Sequence, residues 1–204
     1  MNRGLLLIIS GPSGAGKGTV CDAYKKNCEN NIWNSVSMTT RAPRAGEVEG
    51  ESYYFVSREE FQRMIENDEF LEYAEVYGNY YGTPRAEVER KLSEGTDVIL
   101  EIDIQGALNV QENTTEGIFI FILPPSMNEL RNRIIGRASE TPESLLTRFK
   151  SAYNEINYVN KYNYAITNHT VIQAYEDLKC IVRAERCRVT RVSNEILSLK
   201  EEKI

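Results

Sequence analysis

The stretch LLLIISGPSGAGKGT, residues 5–19, decides the fold of this chain. Its unbroken apolar part, residues 5–10, predicts a strand buried on both faces of a parallel sheet. The turn that follows fits the pattern G-x-x-x-x-G-K-[ST] through Gly11, Gly16 and Lys17, and a helical pattern comes directly after it. A strand, a glycine-rich turn and a helix in this order aim backbone N–H groups and a positive helix end at one point. The sequence therefore predicts a loop that binds nucleotide phosphates.

The loop departs from that pattern at one position. Gly18 stands where a serine or threonine hydroxyl normally binds the magnesium ion that accompanies a nucleoside triphosphate. Mg²⁺ is held largely by substrate phosphates and water, so an enzyme that binds two phosphorylated substrates at once can lose one protein ligand. Thr19 is not a simple replacement, because one helical step rotates a side chain by about 100°. The ending G-K-G-T is similar to that of adenylate kinases, which favours a nucleoside monophosphate kinase.

Strands and helices alternate along much of the remaining chain. Further strands are predicted at residues 97–104, 118–123 and 164–167. Helices are predicted at residues 17–29, 105–112 and 171–187. Because a strand, a crossover and a parallel strand form a right-handed unit, this order predicts an α/β fold with a parallel sheet core flanked by helices.

Two segments interrupt the alternation. Residues 35–90 are rich in aromatic residues and turn signals, and residues 126–158 predict two helices around a turn. Capping boxes, in which glutamate follows a serine by three residues, begin predicted helices at Ser57 and Ser126. We expect residues 1–204 to form one domain with these two segments as inserted flaps. The core is then predicted to consist of residues 1–34, 91–125 and 159–204.

Composition excludes several classes of protein. The formal net charge of −6 argues against bulk binding of nucleic acid, although a local arginine cluster could still bind a small anion. The longest apolar run, residues 5–9, is far shorter than the roughly 20 residues of a membrane-spanning helix. It is also shorter than the apolar part of a secretory signal, which has about 7–15 residues. We therefore expect a cytoplasmic protein with no membrane or nucleic-acid partner.

The four cysteines form two pairs, Cys21 with Cys28 and Cys180 with Cys187. Seven residues along a helix correspond to a rise of about 10.5 Å. Since a disulfide requires Cα atoms roughly 4.4–6.8 Å apart, the predicted helices exclude a bridge within either pair. There is no Cys-x-x-Cys motif and His169 is the only histidine, so a zinc site is not expected.

Three stretches resemble the guanylate kinase family in the order and spacing of their residues. They are SVSMTTRAPRAGEVEGESYYFV (35–56), EFLEYAEVYGNYYGTP (69–84) and LEIDIQGA (100–107). The resemblance runs from about residue 4 to about residue 188 and is far more specific than the phosphate loop alone. It implies a P-loop nucleoside monophosphate kinase fold with a GMP-binding flap at residues 35–90 and a helical lid at residues 126–158. The implied reaction is the phosphorylation of GMP, and of dGMP, to the diphosphate by direct in-line transfer from ATP.

The resemblance also assigns residues to the GMP site. The phosphate of GMP is expected to bind Arg41, Arg44, Tyr53 and Tyr81. The base is expected to bind Ser37, Glu72, Thr83 and Asp103. Guanidinium forks suit phosphate oxygens, and tyrosine hydroxyls donate hydrogen bonds without adding charge. Guanine presents N–H donors at N1 and N2, which suit carboxylates, and an O6 acceptor, which suits hydroxyls, whereas adenine presents the wrong edge to Glu72.

A second set of residues is assigned to ATP and to catalysis. ATP is expected to bind Gly11, Pro12, Ser13, Gly14, Ala15, Gly16, Lys17, Gly18, Thr19, Arg137 and Asn168. The catalytic residues implied are Lys17, Arg41, Arg137 and Arg148, with Arg133 as a further lid arginine. Such arginines neutralise the charge that spreads over a transferring phosphoryl group. Mg²⁺ is expected to accompany ATP, with Glu101 as a carboxylate acting through water, although many relatives have aspartate there.

Each of these residues taken alone has another explanation. The arginines could be solvated surface charges, the tyrosines half-buried strand aromatics, and the two acidic residues solvent-facing positions of an alternating strand.

Two other functions also remain open, a non-catalytic guanylate-kinase-like scaffold that binds phosphopeptides and an adenylate-type kinase. Such scaffolds lack a working phosphate loop, so the loop of this chain argues against the first. The basic segment 179–191 is typical of a solvated helix face and could equally contribute to a homodimer contact.

Overall fold

A computed structural model describes residues 3–28, 31–76, 78–135 and 142–192 of the chain, and the side chains of residues 142–148 lie outside the description. The strands are β1 (Leu6–Ser10), β2 (Ile32–Asn34), β3 (Met38–Thr39), β4 (Tyr54–Phe55), β5 (Phe70–Val76), β6 (Asn79–Pro84), β7 (Asp97–Glu101), β8 (Gly117–Leu123) and β9 (Tyr164–Thr167). The helices are α1 (Lys17–Asn27), α2 (Arg58–Glu66), α3 (Arg85–Ser93), α4 (Ile104–Asn113), α5 (Met127–Ile135), α6 (Pro142–Ile156) and α7 (Val171–Arg186).

The central sheet of the described residues has five parallel strands in the order β2-β7-β1-β8-β9. Ile9 of β1 is paired with Glu101 on one side and with Ile120 of β8 on the other. The chain after β1 and the chain after β7 therefore leave the same edge of the sheet side by side. In open α/β sheets this edge, at the carboxyl ends of the strands, is where ligands bind.

Helices cover both faces of this sheet because side chains alternate along each strand. Leu7 and Ile9 belong to a buried cluster that includes Val20 of α1 and Leu178 of α7. On the opposite face, Leu6 and Ile8 belong to a cluster that includes Leu92 of α3 and Val110 of α4. All five residues of β1 are buried, which explains why the strand is apolar as far as Ile9. The predicted α/β fold with a helix-flanked parallel sheet is confirmed.

Residues 38–84 contain a second sheet, in the strand order β4-β3-β6-β5. Its core is aromatic. The ring of Phe61 on α2 stacks on Phe70 with centroids 4.3 Å apart and on Tyr80 with centroids 5.3 Å apart. β5 pairs with β6 in antiparallel register, with an irregularity between Phe70 and Glu72. Of the residues predicted to bind GMP, this sheet carries Glu72, Tyr81 and Thr83.

The predicted strand at residues 97–104 was wrong at its carboxyl end. β7 ends at Glu101 and α4 begins at Ile104. The reason is a helix cap, because the Asp103 side chain accepts a hydrogen bond from the backbone N–H of Gly106 at 2.7 Å. The strands at residues 118–123 and 164–167 are confirmed within one residue, while the short strand β2 was not predicted.

The serine half of each predicted capping box is confirmed. The Ser57 hydroxyl accepts a hydrogen bond from the N–H of Glu60 and the Ser126 hydroxyl accepts one from the N–H of Glu129, each at 3.1 Å. These caps fix the starts of α2 and α5. The predicted lid thus begins with α5 and continues with α6, whereas residues 136–141 between them lie outside the described residues.

Two further expectations can be compared with the described part of the chain. None of the four cysteines, all of which lie within it, takes part in a disulfide. No helix in the same ranges is both long enough and apolar enough to span a bilayer.

Candidate active site

The phosphate loop connects β1 to α1 and requires glycine at two points. Gly11 has φ 144°, and a Cβ atom there would lie 2.3 Å from the backbone oxygen of Ile122. Gly16 has φ 92° and is the N-cap of α1, where a Cβ would lie 2.4 Å from Nδ2 of Asn168. Both positions combine a backbone conformation that favours glycine with a neighbour too close for any side chain. The loop lies between a buried strand and a helix, as the sequence predicted, and its close packing explains why glycine is required at these two positions.

Lys17 begins α1, and its side chain lies along the loop. Its Nζ donates to the backbone oxygen of Gly11 at 2.7 Å and to that of Pro12 at 3.4 Å. Burial lowers the pKa of the Lys17 ammonium, and the nearby carboxylates of Glu101 and Asp103 act in the opposite direction. The hydrogen bonds to Gly11 and Pro12 place the Lys17 ammonium inside the loop, near the end of β7.

Glu101 occupies the space beside the glycine that departs from the loop pattern. A Cβ atom at Gly18 would lie 3.3 Å from Oε1 and 3.4 Å from Oε2 of Glu101. A carboxylate thus stands close to the position of the missing hydroxyl. Mg²⁺ is commonly bound by one or two carboxylates together with substrate phosphates. Among the described residues there is no group of three or more His, Cys, Asp and Glu side chains that could hold a metal ion.

Asn168 and Arg133 hold the loop from the side of β9 and α5. The buried Asn168 side chain donates from Nδ2 to the backbone oxygen of Ala15 at 2.8 Å. Arg133 donates to the same oxygen at 3.4 Å and to the backbone oxygen of Asn168 at 3.2 Å. Its guanidinium is also paired with Glu129 at 2.9 Å. The beginning of the predicted lid is therefore tied directly to the phosphate loop.

Two acidic side chains meet where the second sheet faces the end of β7. Glu72 of β5 is 5% exposed, and its Oε1 accepts a hydrogen bond from Thr83 Oγ1 at 2.7 Å. A Cβ atom added to Gly106 would lie 3.0 Å from Oε2 of Glu72 and 3.4 Å from Oδ1 of Asp103. The two carboxylates therefore approach the same point beside Gly106, where a larger residue would crowd them. Since Met38 pairs with Gly82, the antiparallel register brings Ser37 beside Thr83.

Burial has a chemical consequence for Glu72. Desolvation raises the pKa of its carboxyl to about 7, with the hydrogen bond from Thr83 opposing the shift and the charge of Asp103 adding to it. The other explanation of Glu72, a solvent-facing position on an alternating strand, is thus wrong. Asp103 is exposed but serves as the cap of α4. A buried carboxyl beside a second carboxylate is a common feature of functional sites.

Arg41, Tyr53 and Tyr81 lie together on the second sheet. The guanidinium carbon of Arg41 is 5.5 Å from the Tyr53 ring centroid, and the rings of Tyr53 and Tyr81 are 5.9 Å apart in an edge-to-face arrangement. Hydrogen bonds to Glu47, and a smaller contribution from one to the Tyr81 hydroxyl, raise the pKa of Arg41. The predicted phosphate ligands thus form a cluster, and the exposed side chain of Arg44 lies at its rim.

Glu47 is a member of this cluster that the sequence did not predict. Arg41 Nη2 donates to its Oε1 at 2.7 Å and to its Oε2 at 3.0 Å, and the backbone N–H of Arg44 donates to Oε2 at 2.7 Å. These hydrogen bonds, that from Arg41 above all, lower the pKa of the Glu47 carboxyl. The only signal in the sequence was an acid following two arginines in a turn, and nothing distinguished it from Glu49 or Glu51.

Two predicted catalytic residues cannot be compared with the structure. Arg137 lies outside the described residues, and Arg148 lies on α6 among the positions whose side chains are not described. Most of the other predicted residues fall into three groups. These groups are the phosphate loop with Asn168, the acidic pair with Thr83, and the cluster around Arg41. Lys17 of the first group is close enough to Asp103 of the second for the charge of Asp103, like that of Glu101, to raise the pKa of its ammonium.

The fold and the arrangement of this site define a P-loop nucleoside monophosphate kinase. Residues 3–185 match the family described as "Guanylate kinase". Guanylate kinase of Clostridium tetani is 64% identical over 201 residues, covering 98% of this chain and 96% of the relative. That of Clostridium acetobutylicum is 63% identical over 202 residues, covering 99% and 96%. The chain belongs to the guanylate kinase family.

A solved structure agrees with this assignment. The crystal structure of guanylate kinase from Anaplasma phagocytophilum matches with a TM-score of 0.76 and 39% sequence identity, over 94% of this chain and 90% of that chain. A second match, to a protein from Eubacterium ventriosum, has a TM-score of 0.50 and 13% identity and concerns the fold alone.

Proposed function

We propose that this protein transfers the γ-phosphoryl group of ATP to the phosphate of GMP, forming ADP and GDP. The observation that carries the proposal is the buried Glu72 carboxyl, hydrogen-bonded by Thr83 and converging with Asp103. Two carboxylates match the N–H donors at N1 and N2 of guanine, whereas adenine has no hydrogen at N1 and no 2-amino group. A site that leaves its own polar groups unpaired can reject an analogue by about 10⁴–10⁵.

The GMP site is proposed to bind its ligand at two ends. Glu72 and Asp103 accept hydrogen bonds from the base, and the hydroxyls of Ser37 and Thr83 complete the base site. At the other end Arg41, Arg44, Tyr53 and Tyr81 bind the phosphate. Since none of these assignments uses the 2′-hydroxyl of the ribose, dGMP is proposed as a second substrate.

ATP is proposed to bind across the phosphate loop, residues 11–19, with Asn168 on the adenine side. The backbone N–H groups of the loop and the ammonium of Lys17 stabilise the β- and γ-phosphates. Arg137 and Arg148 are proposed to reach the phosphates from the lid. They would act on the charge of the transferring group, an effect that reaches about 10³–10⁵ in rate for arginine fingers.

The chemical step is proposed to be direct in-line transfer without a covalent enzyme intermediate. The acceptor is a phosphate oxygen that is already anionic near neutral pH, because the second pKa of a phosphate monoester is about 6. No general base is required, so the protein contributes positioning and stabilisation of charge. Residues 35–90 and 126–158 are proposed to close on GMP and on ATP respectively, within one domain, and so keep water from hydrolysing ATP.

Mg²⁺ is the proposed companion of ATP. Glu101 would orient it through a water molecule, which is consistent with the position of its carboxylate beside Gly18. When bound, the ion neutralises charge on the β- and γ-phosphate oxygens. The chain itself contributes the adjacent ammonium of Lys17, which holds the phosphates in line.

Location and oligomeric state remain predictions. The absence of disulfides among the four cysteines is compatible with the predicted cytoplasmic location. A homodimer remains one of two explanations for the basic segment 179–191, the other being a solvated helix face. Sedimentation of the purified protein would distinguish between them.

A coupled assay with ATP and four acceptors, GMP, dGMP, AMP and UMP, tests the proposal. We expect turnover with GMP and dGMP and at most trace turnover with AMP and UMP. A scaffold without catalytic activity would phosphorylate none of the four. A preference for AMP would identify an adenylate-type enzyme and would overturn the proposed base site.

A further inference from the structure

The strand that carries Glu72 is an edge strand held by a helix of the core. In the described residues β5 pairs with β6 on one side, and on its other side it faces α4. Asn109 Nδ2 donates to the backbone oxygen of Tyr73 at 2.8 Å, and Asn113 Nδ2 donates to that of Leu71 at 3.4 Å. The two asparagines are four residues apart and therefore lie on one face of α4. Their amides bind the carbonyl groups immediately before and after Glu72.

The orientation of the Asn109 amide is itself fixed. Its Oδ1 accepts a hydrogen bond from Gln105 Nε2 at 3.1 Å, one turn earlier on α4. Nδ2 is thereby left to face Tyr73. Side-chain amides that bind an edge strand in this way replace the hydrogen bonds that a further strand would supply.

An irregularity in β5 lies directly before Glu72. The register of β5 against β6 shifts between Phe70 and Glu72, as in a β-bulge. As a result Leu71 and Glu72 are both buried, although they are neighbours in a strand. Leu71 packs in the core cluster that contains Val110 of α4, while the carboxyl of Glu72 turns to Thr83 and Gly106. Because the bulge interrupts the hydrogen bonds between β5 and β6, the amides of α4 supply part of the hydrogen bonding to the β5 backbone at this point.

α4 therefore controls both acidic residues of the base site. Asp103 is the cap at its N-terminus, and Asn109 and Asn113 fix the strand that carries Glu72. The separation between the two carboxylates is set by where β5 sits along the helix. Guanine requires both carboxylates at the spacing of its N1 and N2 donors. A slip of β5 along α4 would move Glu72 relative to Asp103, so that both donors could no longer be matched at once, whereas an acceptor with only the N1 donor would lose less.

We infer that Asn109 and Asn113 are positioning residues for purine discrimination, which act by holding Glu72 opposite Asp103. The inference rests on the proposed function, because it concerns the base site of GMP. Asn109 has the larger effect, since its hydrogen bond is 2.8 Å long and that of Asn113 is 3.4 Å long.

The test compares GMP with inosine monophosphate, which differs by lacking the 2-amino group. The ratio of kcat/KM for the two acceptors is measured for the wild type, Asn109→Ala and Asn113→Ala. We expect Asn109→Ala to lower the ratio by about 2- to 12-fold, the range for loss of one neutral hydrogen bond. Asn113→Ala is expected to lower it less, and the KM for ATP stays unchanged in both.

Gln111 provides a matched control on the same helix. Its Nε2 donates to the backbone oxygen of Lys161 at 2.7 Å, so it makes the same type of bond to an element outside the base site. Gln111→Ala should leave the ratio at the wild-type value. Thermal unfolding of every variant shows how far α4 itself is destabilised.

Three outcomes are distinguishable. If the wild type fails to phosphorylate GMP, the proposed function is wrong. If the wild type is active and Asn109→Ala loses GMP and inosine monophosphate activity equally, the asparagines support the fold only and the inference is overturned. If Asn109→Ala does not fold, Asn113→Ala is subjected to the same ratio measurement, and an unchanged ratio there overturns the inference as well.

Discussion

The guanidinium of Arg41 is held by the carboxylate of Glu47, with Nη2 2.7 Å from Oε1 and 3.0 Å from Oε2. Both side chains are largely buried, with 13% and 21% of their surface exposed. Glu47 also binds the backbone N–H of Arg44, so a single carboxylate organises the segment that is proposed to bind the GMP phosphate. The Glu47 carboxylate therefore already pairs with the guanidinium of Arg41, which is proposed to bind the phosphate of GMP.

Arg41→Met should raise the KM for GMP by about 10- to 100-fold and reduce turnover, because a charge-assisted hydrogen bond to phosphate is lost. The KM for ATP should remain nearly unchanged. Steady-state kinetics with each substrate varied in turn measure both values. Arg63→Met is the control, since Arg63 is an arginine of the second sheet's helix paired with Glu60 and Glu69 away from this cluster. Equal losses for both substrates would contradict the proposed role of Arg41.

The pairing of Arg41 with Glu47 predicts that their substitutions are not additive. In Arg41→Met the Glu47 carboxylate has lost its cationic partner, although it still accepts the hydrogen bond from the N–H of Arg44, and it repels the incoming phosphate. The double variant Arg41→Met/Glu47→Gln should therefore bind GMP more tightly than Arg41→Met alone. A double-mutant cycle on the KM for GMP measures this coupling. Additive effects would mean that the carboxylate does not act on the phosphate site.

The raised pKa of Glu72 predicts a pH dependence for GMP. With a pKa of about 7, Glu72 is mostly protonated at pH 6 and mostly ionised at pH 8. Guanine donates from N1 and N2 and so requires the ionised form, which means that binding releases a proton. We expect the titration of Glu72 to account for about a tenfold fall in kcat/KM for GMP from pH 8 to pH 6.

The control for this pH dependence is Glu72→Gln. The substrate phosphate also titrates, with a pKa near 6, and its contribution should persist in the variant while the step near pH 7 disappears. An identical pH profile in both proteins would show that Glu72 does not titrate in the free enzyme.

Gly16→Ala should damage the ATP site and spare the GMP site. The alanine would have to adopt φ 92° and its Cβ would lie 2.4 Å from Asn168 Nδ2. We expect the KM for ATP to rise by at least about tenfold, with strain of roughly 1–2 kcal/mol from the backbone alone. GMP binding without ATP, measured by calorimetry, should be unaffected. Gly46→Ala is the control, because Gly46 has φ 87° but no atom within 4 Å of its Cβ position.

Arg186→Met should reduce stability without changing either KM. Arg186 Nη2 lies 2.5 Å from Oδ2 of Asp97, which is fully buried and also accepts a hydrogen bond from the N–H of Leu5. Burial already raises the pKa of Asp97, so removing its cationic partner leaves a charge that the fold tolerates poorly. We expect a loss of about 1–3 kcal/mol in the free energy of unfolding at pH 7, reduced from the buried-pair value because Arg186 is partly exposed. Urea denaturation measures this loss. Arg183→Met is the control, because Arg183 is exposed on the same helix and its substitution should have little effect. A comparable loss of stability in the control would contradict this account.

Part of the site could be predicted because it is local in the sequence. The phosphate loop is a contiguous motif, and its glycines, lysine and flanking strand and helix specify a geometry within 20 residues. Arg41 and Glu72 were identified by resemblance to a family, which supplied their residue types but not their surroundings. Whether Glu72 was buried or solvent-facing could not be read from alternation, because the bulge at Leu71 breaks the period of the strand.

The end of β7 shows a different reason for error. The run DVILEIDI is apolar at alternate positions as far as Ile104 and so predicts a strand, yet the strand stops at Glu101. Competition between extending the strand and starting α4 is decided by the Asp103 cap and by the packing of Ala107 and Val110 against the sheet. The cap is local in the sequence, but the packing contacts depend on elements that are distant in the chain.

The sequence by itself determined the glycine-rich loop and the parallel α/β core, because these follow from a short motif and from the periodicity of apolar residues. The residue types of the two proposed nucleotide sites came mainly from resemblance to a family. Only the tertiary structure decided that Glu47 holds Arg41, that Glu72 is buried opposite Asp103, and that α4 fixes β5. The bonds from Asn109 and Asn113 to β5 span 36 and 42 residues of chain. Such contacts arise only when elements that are far apart in the chain pack together. A local pattern of residues cannot specify which elements will meet.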